Sequence, residues 1–187
     1  DFSYRGMSSN ESAAASAAGH LLSFKGLDSL VAMEWIEKNY GWQYDLMSVA
    51  ATEHSVMCTG ISSLLTADDL IPLDDDRAIG ETEMFSKLLD LYPTGILSVV
   101  SDTFDLWRVL RTILPHLREK VMQRDGKLVI RPDSGDPVKI ICGNPAGRTV
   151  DEQRGVIELL WDTFGGTINA EGYRELDSHI GAIYGDS

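Results

Sequence analysis

Basic side chains are scarce in this sequence. It has 16 lysines and arginines against 29 aspartates and glutamates in 187 residues, which gives a formal net charge of -13. Proteins that bind nucleic acids or anionic membranes non-specifically need a basic surface, because cationic side chains must replace the bound counterions. The composition therefore argues against a nucleic-acid partner. A phosphorylated ligand would need a few placed arginines, a metal ion or another chain.

Long apolar runs and cysteines are also few. No run approaches the roughly 20 apolar residues of a membrane-spanning helix, so we expect no membrane partner. Cys58 and Cys142 lack metal-ligand spacing, and we expect no secretory signal. These features predict reduced thiols, both in the core of a cytoplasmic protein.

The remaining composition, with 43% hydrophobic and 24% charged residues, is typical of a globular protein with one substantial core. The chain starts at Asp1 without methionine and stops directly after an apolar run. We therefore expect an excerpt of a longer protein.

Short apolar segments predict five buried strands, separated mostly by helices. The predicted strands are 21–26, 46–51, 95–101, 128–130 and 178–184. Strands without polar and apolar alternation are typical of parallel sheets that are covered on both faces. The pattern predicts an α/β fold, either a parallel barrel or a doubly wound sheet.

Helical spacing and capping residues predict the segments between these strands. The predicted helices are 8–18, 30–40, 56–65, 81–92, 104–122 and 151–164. Pro115 predicts a break in the fifth helix, because proline lacks the amide donor and clashes with the preceding turn. The acidic stretch 66–77 predicts a solvated surface loop, with a metal-binding acidic cluster as the alternative.

Polar residues follow each predicted strand, at Asp28, His54, Asp102, Arg131 with Asp133, and Asp186. The carboxyl ends of parallel strands meet on one face, where the active sites of such folds are built. This coincidence favours one shared site over five independent helix caps.

Arg131 and Asp133 follow the strand 128–130 within a turn-forming stretch. The arginine offers a fork of donors to phosphate or carboxylate, and the aspartate can hold a ribose hydroxyl or a metal-bound water. The alternative is a tight turn in which the arginine forms a structural salt bridge.

Six segments resemble, in order, the successive motifs of the nicotinamide phosphoribosyltransferases, which are type II phosphoribosyltransferases. The segments are 1–6 (DFSYRG), 24–28 (FKGLD), 48–55 (SVAATEHS), 98–102 (SVVSD), 130–135 (IRPDSG) and 183–186 (IYGD). The resemblance implies an incomplete parallel α/β (TIM-like) barrel over residues 1–187, without an N-terminal segment and a C-terminal phosphate-binding loop. It also implies a homodimer with the active site at the interface.

The implied reaction joins nicotinamide to 5-phosphoribosyl 1-pyrophosphate, giving nicotinamide mononucleotide and pyrophosphate in NAD biosynthesis. In this resemblance Phe2 stacks on the pyridine ring, and Arg5 binds phosphate or pyrophosphate oxygens. Asp28 accepts a hydrogen bond from the carboxamide and repels the carboxylate of nicotinate. The residues that line the pocket near the base are Ser48, Val49 and Ser98.

The resemblance assigns the phosphoribosyl side of the site to later residues. Arg131 reaches both the carboxamide and the pyrophosphate. Asp133 holds the ribose and the water shell of Mg²⁺, with Asp102 nearby. Gly185 and Asp186 lie close to the ribose of the nucleotide.

His54 would be phosphorylated by ATP, an activating co-substrate in the family that the chain resembles. Imidazole is a competent nucleophile near neutral pH, although a lone histidine is more often a hydrogen-bonded rim or core residue. The expected catalytic residues are therefore His54, Arg131 and Asp133.

Two other functions remain open on the sequence. One is a phosphoribosyltransferase for nicotinate or quinolinate, which Asp28 disfavours. The other is a non-catalytic nucleotide-binding barrel, which the joint presence of Arg131, Asp133 and His54 disfavours.

Overall fold

The computed structural model describes residues 6–27, 29–41, 46–64 and 74–185, with side chains from residue 78 onward in the last range. The chain divides into two compact units, Asp1–Ser48 and Val49–Ser187. A separate hydrophobic core lies in each unit.

The first unit contains two helices, α1 (Asn10–Leu21) and α2 (Leu30–Tyr40). Ser9 caps α1 by accepting a hydrogen bond from the Ser12 amide at 3.1 Å. α2 ends at Gly41, whose φ of 60° is in the left-handed region that favours glycine. The core residues of this unit are Ala18, Leu21, Leu27, Ala32 and Ile36. Both helix predictions are confirmed.

The strand predicted over 21–26 is wrong. Leu21 is the last residue of α1, and the amides of Ser23 and Phe24 both donate to the carbonyl oxygen of His20. Of this stretch only Gly26 forms a β-bridge, which is parallel and pairs with Met47. A short apolar run does not distinguish a strand from the last turn of a helix, and here the helical hydrogen bonds continue into it.

The second unit is built on a parallel sheet of four strands. The strands are β1 (Ala50–Ala51), β2 (Thr94–Val100), β3 (Asp125–Arg131) and β6 (Ile180–Ala182), which pair in the order β1-β2-β3-β6. Val100 lies opposite Arg131, and Ile130 lies opposite Ala182. The carboxyl ends of the strands therefore lie at one edge of the sheet. The predicted parallel α/β sheet is confirmed with four strands.

Helices connect these strands and bury their apolar side chains. They include α3 (His54–Leu64), α4 (Asp74–Leu91) and α8 (Val150–Phe164). Strand residues at the centre of the core are Leu97, Val99, Leu128 and Ile130. In the part of the chain that the structure describes, no helix is long and apolar enough to cross a bilayer.

The backbone of α4 is helical from Asp74, so the loop prediction is wrong for residues 74–77. An acidic run in a sequence is compatible with a helix start as well as with a loop, because negative charge is favoured near a helix N-terminus. The rest of the predicted loop, residues 66–73, lies outside the described residues.

No break occurs at Pro115. The helix α5 (Leu106–Arg108), a π-helical turn (Val109–Ile113) and α6 (Leu114–Met122) follow one another directly. Within the π turn, the Leu114 amide donates to the carbonyl of Val109. Pro115 thus lies in the first turn of α6, where a missing amide is tolerated.

Three short elements were absent from the sequence prediction. They are α7 (Pro137–Cys142) and the antiparallel hairpin of β4 (Gly166–Ile168) and β5 (Arg174–Leu176). Asp136 caps α7 by accepting from the amides of Val138 and Lys139 at 3.0 and 3.3 Å. Too few residues form these elements for a periodic pattern to emerge.

The prediction that both cysteines are core residues is wrong. Cys58 and Cys142 are exposed thiols. The buried face of α3 carries Met57 and Ile61. Cys58 lies one position further along, about 100° around the helix from Met57, and therefore points away from the core.

Candidate active site

Thr52 links the end of β1 to the helix that carries His54. Its amide donates to the Ser98 carbonyl at 3.0 Å, and its hydroxyl accepts from the Val100 amide at 3.0 Å. Thr52 is almost fully buried. Its hydroxyl therefore continues the pairing with β2 while the backbone turns into α3, whose first residue is His54.

Asp102 and Asp133 form a carboxylate pair beyond the ends of β2 and β3. The amide of Asp133 donates to Asp102 Oδ2 at 2.9 Å, and the hydroxyl of Ser134 donates to the same oxygen. The two side chains are only 9% and 16% exposed. Asp102 Oδ1 and Asp133 Oδ1 are buried without a hydrogen-bond partner among the described residues. One oxygen of each carboxylate is therefore outside any hydrogen bond with the described residues.

The His54 ring faces this carboxylate pair. Its Nε2 lies 3.5 Å from Asp133 Oδ2 and 3.8 Å from Asp102 Oδ1. Its Nδ1 lies 3.1 Å from Thr103 Oγ1. With 43% of its side chain exposed, the ring remains accessible to a ligand.

Arg131 and Gly185 complete the cluster. Arg131 Nη2 lies 3.8 Å from Asp133 Oδ1, and the guanidinium is mostly buried. The Gly185 amide donates to the Pro132 carbonyl at 3.0 Å. A Cβ atom at Gly185 would overlap Arg131 Nε and Asp133 Oδ1, so the approach of the backbone requires a glycine.

The loop after β3 is held by its own hydrogen bonds. Tyr184 donates its hydroxyl hydrogen to the Gly135 carbonyl at 2.8 Å. The backbone amide of Lys139 lowers the pKa of Asp136, which keeps the cap of α7 ionised as an acceptor. These contacts fix the turn that carries Asp133 and Ser134.

The described residues of this cluster do not form a three-ligand metal site. Among residues 6–27, 29–41, 46–64 and 74–185, no three His, Cys, Asp or Glu side chains are placed to hold one ion. Two carboxylates with unpaired oxygens are nevertheless compatible with Mg²⁺, which often retains several waters and binds one or two protein carboxylates.

The structure thus brings five predicted site residues together: His54, Asp102, Arg131, Asp133 and Gly185. Ser98 is a buried residue of β2, and Val49 is a 38% exposed residue just before β1. Ser48 is exposed and belongs to the first unit. The predicted site residues outside the described part of the chain are Phe2, Arg5, Asp28 and Asp186.

Three hydroxyl residues of the cluster were absent from the sequence prediction: Thr52, Thr103 and Ser134. Each is adjacent to, or one residue removed from, a predicted site residue or strand end. Thr52 and Ser134 also lie within the segments 48–55 and 130–135 that carry the family resemblance, whereas Thr103 has only its adjacency to Asp102.

The whole chain, residues 1–187, matches the sequence model of the nicotinate phosphoribosyltransferase (NAPRTase) family. It is 44% identical over 196 residues to a protein of Acinetobacter baylyi named nicotinamide phosphoribosyltransferase. Proteins of the same name from Mycoplasma pneumoniae and Xanthomonas campestris are 38% and 33% identical over 190 and 189 residues.

Each alignment covers 100% of this chain but only 34–36% of the relative. The chain therefore spans about a third of the length of these curated relatives. On the match of all its residues, the chain belongs to the nicotinate phosphoribosyltransferase (NAPRTase) family.

Proposed function

We propose that the protein joins nicotinamide to 5-phosphoribosyl 1-pyrophosphate, giving nicotinamide mononucleotide and pyrophosphate in NAD biosynthesis. The observation that carries the proposal is the cluster of His54, Asp102, Arg131 and Asp133 at the carboxyl edge of a parallel sheet. Family membership supports phosphoribosyl transfer, and the names of the relatives support nicotinamide as the base.

The chemistry requires positioning more than proton transfer. The ring nitrogen of nicotinamide has a lone pair and no proton to lose, so no general base is needed on it. Displacement of pyrophosphate passes through an oxocarbenium-like state, and the protein must orient the two substrates and stabilise the departing negative charge. Because the net charge of the chain is -13, this stabilisation requires arginine or lysine side chains located directly at the site.

Arg131 is the cation of the described cluster that would serve this purpose. In the proposal it contacts the carboxamide and the pyrophosphate, while Asp133 holds the ribose. The 3.8 Å separation of Arg131 Nη2 from Asp133 Oδ1 supports these adjacent roles. Gly185 allows a nucleotide to approach because no side chain projects there.

Asp102 and Asp133 would hold Mg²⁺ through its water shell. The support is one oxygen on each carboxylate that has no hydrogen-bond partner among the described residues, together with the preference of Mg²⁺ for oxygen ligands. When bound, Mg²⁺ neutralises negative charge on the pyrophosphate. Asp102 also accepts from the Asp133 amide, and so orients the second carboxylate.

The assignment of residues that bind nicotinamide rests on the resemblance of the sequence segments to the family motifs. Phe2 would stack on the pyridine ring, Arg5 would bind phosphate oxygens, and Asp28 would accept from the carboxamide. The other residues assigned to substrate are Ser48, Val49, Ser98 and Asp186.

The proposal also includes a TIM-like barrel, incomplete in residues 1–187, in a cytoplasmic homodimer with the active site at the subunit interface. The four described parallel strands pair in chain order, without the reversal that marks a doubly wound sheet. This order supports a barrel.

His54 is the proposed acceptor of a phosphoryl group from ATP. Its support is the exposure of the ring and its position beside two carboxylates, which can stabilise a cationic imidazole.

The direct test is pyrophosphate release by the full-length protein with nicotinamide or nicotinate, with and without ATP. We expect release with nicotinamide, stimulation by ATP, and much slower release with nicotinate. Chelation of Mg²⁺ should abolish release, and re-addition should restore it. The variant His54→Gln should lose the stimulation by ATP.

Faster release with nicotinate would assign the chain to the reaction after which the family is named. Absence of release with either base, at saturating Mg²⁺, would favour the non-catalytic barrel.

A further inference from the structure

Two consecutive residues of the loop after β2 contact both nitrogens of the His54 ring. Asp102 Oδ1 lies 3.8 Å from Nε2, and Thr103 Oγ1 lies 3.1 Å from Nδ1. Asp133 Oδ2 lies 3.5 Å from Nε2. The ring is therefore bounded by a hydroxyl on one side and by two carboxylates on the other.

These neighbours differ in what they offer to the ring. A carboxylate oxygen accepts hydrogen bonds, whereas a threonine hydroxyl both donates and accepts. In the neutral imidazole, one nitrogen carries the proton and the other carries a lone pair. A lone pair on Nε2 would face Asp102 and Asp133 and be repelled, but a proton there is attracted by both. These charges favour the tautomer with the lone pair at Nδ1, and in that tautomer the Thr103 hydroxyl is the donor of the 3.1 Å contact.

A half turn of the ring about the Cβ–Cγ bond would put Cδ2 where Nδ1 now lies, and Cε1 where Nε2 now lies, so the hydroxyl would lose this acceptor. Thr103 thus opposes rotation of a side chain that is 43% exposed and open to solvent. The distance of 3.1 Å is within the range of a normal hydrogen bond.

We propose that Thr103 is a positioning residue for His54: its hydroxyl holds the ring so that Nδ1 carries the lone pair and Nε2–H faces Asp102 and Asp133. The inference rests on the proposed role of His54 as a phosphoryl acceptor and identifies the reacting nitrogen as Nδ1.

In the corresponding step, the Nδ1 lone pair forms a bond to the γ-phosphorus of ATP. The bond from that phosphorus to the bridging oxygen breaks, and its electron pair leaves with ADP. Nε2 retains its proton, so the ring becomes cationic opposite Asp102 and Asp133. The Thr103 hydroxyl, released from the lone pair, is placed to donate to the new phosphoryl group.

The test compares full-length wild type with Thr103→Val and Thr103→Ser, each labelled with ¹⁵N-histidine. Valine has the shape of threonine without the hydroxyl, and serine keeps the hydroxyl. The His54 signals are assigned by their loss in His54→Gln, and spectra are recorded about two pH units above the ordinary imidazole pKa of about 6.5.

In wild type we expect one-bond N–H coupling at Nε2 and none at Nδ1. Thr103→Val should move the Nδ1 resonance towards that of a free lone pair, and Thr103→Ser should restore it. The initial rate of phosphorylation by γ-labelled ATP should fall about tenfold in Thr103→Val, the effect of one hydrogen bond, and recover in Thr103→Ser.

A proton on Nδ1 of the neutral wild-type ring would overturn the inference. So would an unchanged Nδ1 resonance in Thr103→Val. The NMR readouts require no turnover, so they decide the role of Thr103 even if ATP does not phosphorylate the protein. Failure of this inference and failure of the proposed function are therefore distinguishable.

Discussion

Gly185 packs its backbone directly against two side chains of the candidate site. A Cβ atom there would overlap Arg131 Nε and Asp133 Oδ1 and would lie 3.0 Å from Arg131 Cζ. Gly185 is not among the glycines with positive φ, so the requirement for glycine comes from space and not from backbone conformation. The smallest possible substitution should therefore disturb the chemistry.

We predict that Gly185→Ala lowers kcat/KM of the full-length protein by about 100-fold, because a displacement of about 1 Å at reacting groups has an effect of that order. The matched control is Gly181→Ala in β6, where the added Cβ would meet only the flexible side chain of Lys127 at 3.3 Å and ordinary contacts. Steady-state kinetics with phosphoribosyl pyrophosphate would measure both. Equal activity of the two variants would contradict the steric role of Gly185.

Asp28 is the proposed selectivity residue for the base. We predict that Asp28→Asn weakens the use of nicotinamide and relaxes the exclusion of nicotinate, because the amide no longer repels a carboxylate. The ratio of kcat/KM for the two bases should fall by about tenfold or more, as expected for one charged hydrogen bond. An unchanged ratio in full-length Asp28→Asn would remove Asp28 from the base site.

Glu81 is a buried acid outside the candidate site. Its side chain is fully buried in α4, and the nearest cation of the described side chains is Arg108, with Nη2 3.9 Å from Oε2. Burial raises the pKa of Glu81 from 4.5 to about 7; Arg108 opposes this shift and Asp105 reinforces it. Glu81 therefore favours the folded state most when it is protonated.

We predict that the free energy of unfolding falls as the pH rises from 4.5 through about 7, the ordinary and folded pKa values of Glu81. In that range the folded chain retains a proton that the unfolded chain releases, and the total effect is about 3 kcal/mol. Urea denaturation at several pH values would measure the slope.

Glu81→Gln should remove this part of the slope. Glu83→Gln provides the control, because Glu83 is an exposed glutamate two residues along the same helix. If both variants showed the same pH dependence as wild type, the ionisation of Glu81 would not contribute to stability.

At the scale of elements, α8 packs against the end of α7 through a close backbone contact between Gly155 and Gly143. Gly155 interrupts α8 with φ 81° and ψ 171°, and an added Cβ would overlap the amide nitrogen of Gly143. Thr149 caps the first turn of α8 by accepting from the Glu152 amide at 3.2 Å. The kink in α8 therefore results from close contact between two segments of backbone.

We predict that Gly155→Ala destabilises the protein more than Gly165→Ala does. Both positions have positive φ, but a Cβ at Gly165 would meet nothing within 4 Å. Gly165→Ala should lose about 1–3 kcal/mol from conformational strain alone, and Gly155→Ala should lose more because the backbones must also separate. Similar losses in urea denaturation would show that strain, and not the contact, requires Gly155.

At the scale of the whole molecule, the described site groups all come from the unit Val49–Ser187. The chain spans about a third of the length of its curated relatives. The resemblance assigns an aromatic residue across the dimer interface and a 5′-phosphate loop to segments beyond residues 1–187. On that resemblance, we expect several substrate contacts to come from outside residues 1–187.

We predict that residues 1–187 expressed alone form no nicotinamide mononucleotide above background, even with ATP and Mg²⁺. The full-length protein assayed in parallel is the control, and circular dichroism would establish that the shorter chain is folded. Mononucleotide formation by residues 1–187 at the full-length rate would show that the other segments are dispensable.

Local patterns in the sequence determined most of the helices and the chemistry at the strand ends. Three examples are the cap of α1 at Ser9, the periodic apolar face of α2 and the apolar run of β3. Each depends only on neighbours within a few residues. Such short-range features leave a direct pattern in a sequence. Arg131 and Asp133 could be predicted as site residues for the same reason.

Tertiary structure alone decided which side chains meet. Thr103 contacts His54 across 49 positions, and Gly185 contacts Arg131 because β3 and the segment after β6 run side by side. The register of parallel strands sets these distances, and single-residue patterns do not encode register between distant segments. The sequence alone therefore predicted a histidine, an arginine and four aspartates at strand ends. The fold determined that Asp102 and Asp133 face the imidazole and that position 185 needs a glycine.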